Sequence, residues 1–261
     1  MSSIHILTEH DHSHDHIKSI PDELMGEQIE TLTIDADHKK PLGLVVILEN
    51  VGHIVGLNLP QWAMNVIDYV TEEYSKILLR LYGAHRRYDQ VFILEDEQVN
   101  GPEIAQTLLQ ASKTHQIDVL LLVHGLDKCI VGYQGKEHIG LETFSPLCSS
   151  YKADPSLLDI RMVYGLNCHG STLAPVWLEM GAKAVNGAVG INWFPEPSLS
   201  IFLRSWLKGE PYSDSVQKSN RIANRIWRLI LPTPREQGCE HPWIESSRQM
   251  VFGQQDLCLD T

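Results

Sequence analysis

Short runs of large apolar residues alternate along this chain with longer amphipathic stretches, and Gly, Pro and Asn stand between them. Leu42–Leu48 (LGLVVIL) is apolar and β-branched without alternation, the pattern of a parallel strand covered on both faces. Residues 60–82 place Ile67, Val70, Tyr74, Ile77, Leu78 and Leu81 at helical spacing, and Gly83 stands where a C-cap would end that helix. Residues 89–94 (DQVFIL) read as a second strand. Asn100-Gly101-Pro102 opens a second helix with Pro in the tolerant first turn and with Ile104, Leu108 and Leu109 as its apolar face. Residues 117–123 (IDVLLLV) form a third strand, the most apolar of the chain.

Beyond it, Gly132 and Gly135 bracket a β-hairpin turn, and residues 141–147 read as a short helix. Residues 160–166 (IRMVYGL) make a fourth strand, followed by a helix over 171–180 that Gly181 ends. A fifth strand is expected at 184–191 (AVNGAVGI), then helices at 198–208 and 213–231 separated by Gly209-Glu210-Pro211. Strand and helix alternating at short spacing predict an α/β fold: a mostly parallel central sheet flanked by helices, with a small β-hairpin after the third strand.

Two stretches depart from this rhythm. Residues 1–40 hold six His among many acids and few large apolar groups, and are expected to be a flexible His-rich segment with a short strand at 29–34. Neutral imidazoles in the HDHSHDH run suit Zn²⁺ or Ni²⁺, although a solvated polar tail is the simpler reading. Residues 41–261 are expected to form a single domain, with an irregular C-terminal tail from about 232.

Composition narrows the function classes. The 261 residues fit one or two domains at ~150 residues each. With 33 acidic and 21 basic residues the formal net charge is −12, which counts against general nucleic-acid binding and against docking on anionic membranes. No apolar run reaches the ~20 residues of a membrane span, and the first residues lack a signal-peptide pattern. Five cysteines, an odd number without a CxxC pair, suit a reducing cytoplasm and give little support to a structural zinc site.

In parallel α/β sheets the chemistry lies beyond the carboxyl ends of the strands. The third strand ends in His124-Gly125, and the fourth in Asn167-Cys168-His169-Gly170. If these strands are neighbours, an imidazole and a thiol emerge at one edge, since parallel neighbours lie about 4.8 Å apart. A thiol near pKa ~8.5 is mostly protonated at neutral pH, and an adjacent imidazole can take its proton. The thiolate then attacks a carbonyl, and backbone N–H groups can hold the oxyanion. Gly125, without a Cβ, would let substrate approach its N–H, and the amide of Cys168 at a helix start is the second donor.

The segments DVLLLVHGLDKCIVGYQGKEHIGLETF and DIRMVYGLNCHGSTLAPVWLEMGAKAVNGAVGINW resemble the caspase-like cysteine peptidases: caspases, metacaspases, separases and CHAT-domain proteins. The resemblance spans roughly residues 42 to 231 and implies the three-layer caspase-haemoglobinase-like fold. By it Cys168 is the nucleophile of an endopeptidase working through an acyl-enzyme, and His124 the base. Gly125 and Cys168 supply the oxyanion amides, while Asn167, His169 and Trp193 are candidates for the substrate pocket. No metal and no cofactor is implied. The partner is a protein or peptide substrate, with a regulatory protein partner as a further expectation.

Two positions depart from the family pattern. Val123 stands before His124, where members carry Ser, Thr or Gly. Leu166 stands two residues before Cys168, where metacaspases place the Asp that binds a basic side chain. A caspase-like module without catalysis therefore remains as an alternative. So does an α/β-hydrolase with a Cys nucleophile and His169 or His241 as base, although Leu166 occupies the first Gly position of its elbow.

Overall fold

The computed structural model describes residues 40–49, 73–193, 195–231 and 239–260. The His-rich segment, the expected strand at 29–34 and the first part of the helix expected at 60–82 lie outside the described residues.

Nine strands are present among the described residues: β1 (Leu42–Leu48), β2 (Gln90–Glu95), β3 (Gln116–Leu122), β4 (Gly125–Leu126), β5 (Cys129–Val131), β6 (His138–Gly140), β7 (Ile160–Gly165), β8 (Ala184–Ala188) and β9 (Gln249–Gly253). The helices are α1, described over 73–81, α2 (Gly101–Thr114), α3 (Leu141–Ala153), α4 (Gly170–Glu179), α5 (Ser198–Trp206), α6 (Tyr212–Ile230) and α7 (Pro242–Ser246). The main sheet runs β2-β1-β3-β7-β8-β9, and β4-β5-β6 form a second, small sheet. The first five strands of the main sheet pair in parallel, and β9 runs antiparallel to β8.

Alternate residues of the central strands feed two cores, as the two-residue period of a strand requires. Val45, Ile47, Val119, Leu121 and Val163 pack with Ile104 and Leu108 of α2, Phe144 of α3 and Trp177 of α4. On the opposite face, Leu44, Val46, Leu120, Leu122 and Met162 meet Leu78 of α1, Phe202 and Trp206 of α5 and Val216 of α6. This is the three-layer α/β arrangement that the unbroken apolar runs predict. Asn100 caps α2 by accepting the Glu103 N–H at 2.9 Å.

Near the amino end of β3 one polar group is carried into this core. Asp118 is fully buried and accepts bonds from the Tyr88 hydroxyl at 2.7 Å and Trp206 Nε1 at 3.2 Å. Burial pushes its carboxyl up, against the pull of the neighbouring Arg161.

Several boundaries differ from expectation. The fifth strand stops at Ala188 and not at 191. The stretch 141–147 continues as a helix to Ala153, and the hairpin is a three-stranded ladder, because β4, directly after His124, pairs with β5. The tail from 232 is not irregular throughout. It contains α7 and the edge strand β9, which pairs with all five residues of β8. The sequence QMVFG hid this strand because it is half-buried at a sheet edge and shows no clean alternation of buried and exposed positions. Buried Leu257 and Leu259 then seat the chain against the α5–α6 layer, where Arg161 Nη2 donates to the Cys258 carbonyl at 2.5 Å.

Candidate active site

Strands β3 and β7 are neighbours, and their register decides what meets beyond them. Leu121 pairs with Gly165, a separation of 44 residues that is also the separation of His124 and Cys168. The ladder continues one step further, with the Leu166 N–H donating to the Leu121 carbonyl at 3.0 Å. His124 and Cys168 therefore leave the sheet at the same level on adjacent strands.

The backbones after these strands then touch. A Cβ built on Gly125 would lie 2.2 Å from the Cys168 carbonyl oxygen and 3.0 Å from Asn167 Cβ. No larger residue fits, so Gly125 brings the His124 segment flat against the Cys168 turn. The missing Cβ therefore makes room for this turn and not, as expected from the sequence, for a substrate.

The turn itself is held by a left-handed residue. His169 has φ 54° and ψ 21° and caps α4, so the chain swings from strand into helix within two residues of Cys168. Histidine is among the residues that adopt this conformation more readily than most. Its N–H donates to the Gly190 carbonyl at 2.7 Å, and its carbonyl accepts the Thr172 hydroxyl at 2.8 Å. Asn167, 2% exposed, turns its amide inward between Gly125, Gly165 and Gly170 and supports the turn from beneath. The start of α4 presses on β8 so closely that a Cβ on Gly187 would fall 2.1 Å from the Gly170 carbonyl carbon.

Cys168 is half-buried, and its Sγ accepts the Asn192 N–H at 3.3 Å. Burial pushes the thiol pKa up, while the Asn192 amide opposes the rise by favouring the thiolate. Asn192 also fixes the floor of the site, since its Nδ2 donates to the Leu166 carbonyl at 2.7 Å. Sequence reasoning missed this residue: it lies in the loop after β8, and nothing local marks it.

Beneath the loop, Asn186 ties three elements together. Its Nδ2 donates to the Gly165 carbonyl at 3.1 Å and to Gln249 Oε1 at 2.8 Å. Its Oδ1 accepts the Gly165 N–H at 3.0 Å and the Tyr212 hydroxyl at 2.9 Å. The backbone ladder between β7 and β8 spans only Met162–Ala184 and Val163–Val185, so this amide extends the pairing toward the site.

Trp193 is half-buried and stacks on Trp243 with ring centroids 4.7 Å apart, and its N–H donates to Ser247 Oγ at 2.9 Å. It thus joins the loop after β8 to α7. His241, the other base considered for a hydrolase, caps α7 by accepting the Trp243 N–H on Nδ1 at 3.2 Å.

No family model matches the sequence, and no curated protein matches it. Among solved structures the fold is similar to the Arg-specific cysteine proteinase gingipain R (RgpB), with a TM-score of 0.54 and 12% identity over 83% of this chain and 47% of that one. A complex of the pro- and mature domains of RgpB from Porphyromonas gingivalis aligns with a TM-score of 0.49 and 11% identity over 82% of this chain and 48% of that one. The chain spans about half the length of the solved chains it matches. The likeness shows the fold alone: a mostly parallel sheet between helical layers, as in that proteinase. No helix among the described residues is long and apolar enough to cross a membrane.

Proposed function

We propose that this chain is a cysteine endopeptidase that hydrolyses peptide bonds through a Cys168–His124 dyad and an acyl-enzyme. The observation that carries the reading is the register of β3 and β7 together with the packing of Gly125 on the Cys168 turn. These bring an imidazole-bearing and a thiol-bearing strand end together at the carboxyl edge of a caspase-like sheet.

In the first step the Cys168 thiol gives its proton to His124 and its sulfur adds to the scissile carbonyl carbon. The oxygen that becomes negative is held by the backbone N–H groups of Gly125 and Cys168. The C–N bond then breaks, and the leaving amine takes the proton from His124. Water, deprotonated by the same imidazole, cleaves the thioester and returns the thiol. These steps need no metal and no cofactor. The working unit is a single CHAT-like domain over residues 41–261, acting on protein or peptide substrates in the cytoplasm.

A second reading, a caspase-like regulatory module that binds without cleaving, draws on one feature. Burial raises the Cys168 thiol and so lowers its thiolate fraction. Cys168→Ala distinguishes the two. Loss of peptide hydrolysis at an unchanged unfolding temperature supports the peptidase, and hydrolysis retained by the purified variant overturns it.

A further inference from the structure

The loop after β8, residues 189–193, bonds in two directions. The Val189 N–H donates to the Arg248 carbonyl at 3.0 Å, and the Gly190 N–H to the Ser246 carbonyl at 2.8 Å. The Ile191 carbonyl accepts the hydroxyls of Ser246 at 2.5 Å and Ser247 at 3.3 Å. The Trp193 N–H donates to Ser247 Oγ at 2.9 Å. These bonds tie the loop to the end of α7 and the residues after it. Asn192, between them, turns the other way. Its N–H rests on the Cys168 sulfur at 3.3 Å, and its Nδ2 on the Leu166 carbonyl at 2.7 Å.

Ser247 thus straddles Asn192. Its hydroxyl donates to the carbonyl before that residue and accepts the N–H after it. One hydrogen and two lone pairs let a hydroxyl make both bonds at once. The side chain is 5% exposed, so water competes little for either. Ser246 also holds the Ile191 carbonyl, and what Ser247 adds beyond it is the acceptor for Trp193. A backbone N–H has no rotamer with which to seek a target, and the peptide planes on either side set its direction. Fixing both flanks of Asn192 therefore fixes where its N–H points.

The surroundings of the sulfur leave this N–H room to matter. His124 stands on the neighbouring strand end and His169 in the turn. Helix α7 and its flanks carry His241, Glu245 and Arg248, the last two exposed. Burial raises the Cys168 thiol, while the amides of Asn192 and of Cys168 itself lower it. No charged side chain among the described residues adds to that shift. A hydrogen bond to the sulfur favours the thiolate.

We infer that Ser247 is a positioning residue for the nucleophile: its hydroxyl clamps both flanks of Asn192, so that the Asn192 N–H is held on the Cys168 sulfur and supports the thiolate. Its consequence for hydrolysis rests on the peptidase reading above. In that reaction the thiol proton goes to His124, and the sulfur carries negative charge until its bond to the carbonyl carbon forms. The charge returns to the sulfur when water opens the thioester, and the same N–H meets it there.

The test is the pH profile of Cys168 alkylation by iodoacetamide, read by mass on the peptide that carries Cys168. It is run on the wild type, Ser247→Ala, Ser247→Thr and Ser247→Cys. The reagent needs only the thiolate, whose sulfur displaces iodide. Ser247→Ala should move the midpoint up by about one pH unit, the order of one hydrogen bond to a charged group. Ser247→Thr keeps the hydroxyl and should return the midpoint to the wild-type value. Ser247→Cys fills the same space with a weaker acceptor and should move the midpoint upward as Ser247→Ala does, so it carries the test if Ser247→Ala does not fold. A purely structural role for Ser247 would lower the unfolding temperature and leave the midpoint in place. An unmoved midpoint in Ser247→Ala or Ser247→Cys, or a Ser247→Thr midpoint as high as that of Ser247→Ala, overturns the inference and leaves the peptidase reading standing. That reading is tested apart, by peptide hydrolysis in Cys168→Ala, so the failure of either is seen by itself.

Discussion

Gly125 packs against the carbonyl oxygen of Cys168 so closely that a Cβ would lie 2.2 Å from it, well inside any real contact. That one distance couples the segment carrying His124 to the turn carrying the thiol. Gly125→Ala must therefore push the two strand ends apart. Overpacking against backbone costs roughly 1–3 kcal/mol. The variant is expected to fold with a lowered unfolding temperature and to lose most of its labelling by peptidyl electrophiles. A Gly125→Ala protein with wild-type labelling and stability would show that the two segments are not coupled.

The Cys168 thiol offers a pH test. Burial raises its pKa, and the Asn192 amide opposes this by favouring the thiolate. A raised acid pKa means less thiolate at neutral pH, so alkylation by iodoacetamide should climb steadily as pH rises. The climb should continue above about pH 8, the ordinary range of a free thiol. A rate already level at pH 7 would instead indicate a preformed thiolate–imidazolium pair in the free protein.

Asn186 extends the short β7–β8 ladder with bonds to Gly165, Gln249 and Tyr212. Asn186→Ala takes its bonds from the Gly165 N–H and carbonyl inside the core, while the Tyr212 hydroxyl keeps the Val163 carbonyl at 2.7 Å. Each buried group left unsatisfied costs about 1–3 kcal/mol. Chemical denaturation should show a loss of that order or more, and an unchanged midpoint would contradict the role given to this amide.

Removing residues 249–261 tests whether the chain end belongs to the fold. The deletion takes away β9, buried Leu257 and Leu259, and the carbonyl that accepts from Arg161. It leaves a buried guanidinium short of an acceptor, and β8 as an exposed edge. The truncated protein is expected to lose its cooperative thermal transition. A transition as sharp and as high as that of the full chain would make the segment dispensable.

The parts of this structure legible in the sequence are those where one physical demand acts alone. Strands β1, β3 and β7 are covered on both faces, so their apolar runs announce them, and His124 and Cys168 stand at the ends of two of them. Asn100 and Gly83 mark helix ends because caps are local chemistry. Strand β9 was hidden because its place is set by pairing with β8, some sixty residues earlier, and its edge position leaves no burial pattern. Asn192 and Ser247 were hidden for a related reason. Both are polar residues outside any periodic run, and only the folded chain brings one to the Cys168 sulfur and the other to the loop that holds it.

The proposed reaction makes Cys168 and His124 one reacting pair. The most direct test is intact mass after exposure to a mixture of peptidyl acyloxymethyl ketones that differ in their terminal residue, run on the wild type, Cys168→Ala and His124→Ala. A single adduct on the wild type, absent from Cys168→Ala and strongly slowed in His124→Ala, is the predicted result. An adduct that persists in Cys168→Ala, or forms equally fast in His124→Ala, would contradict it.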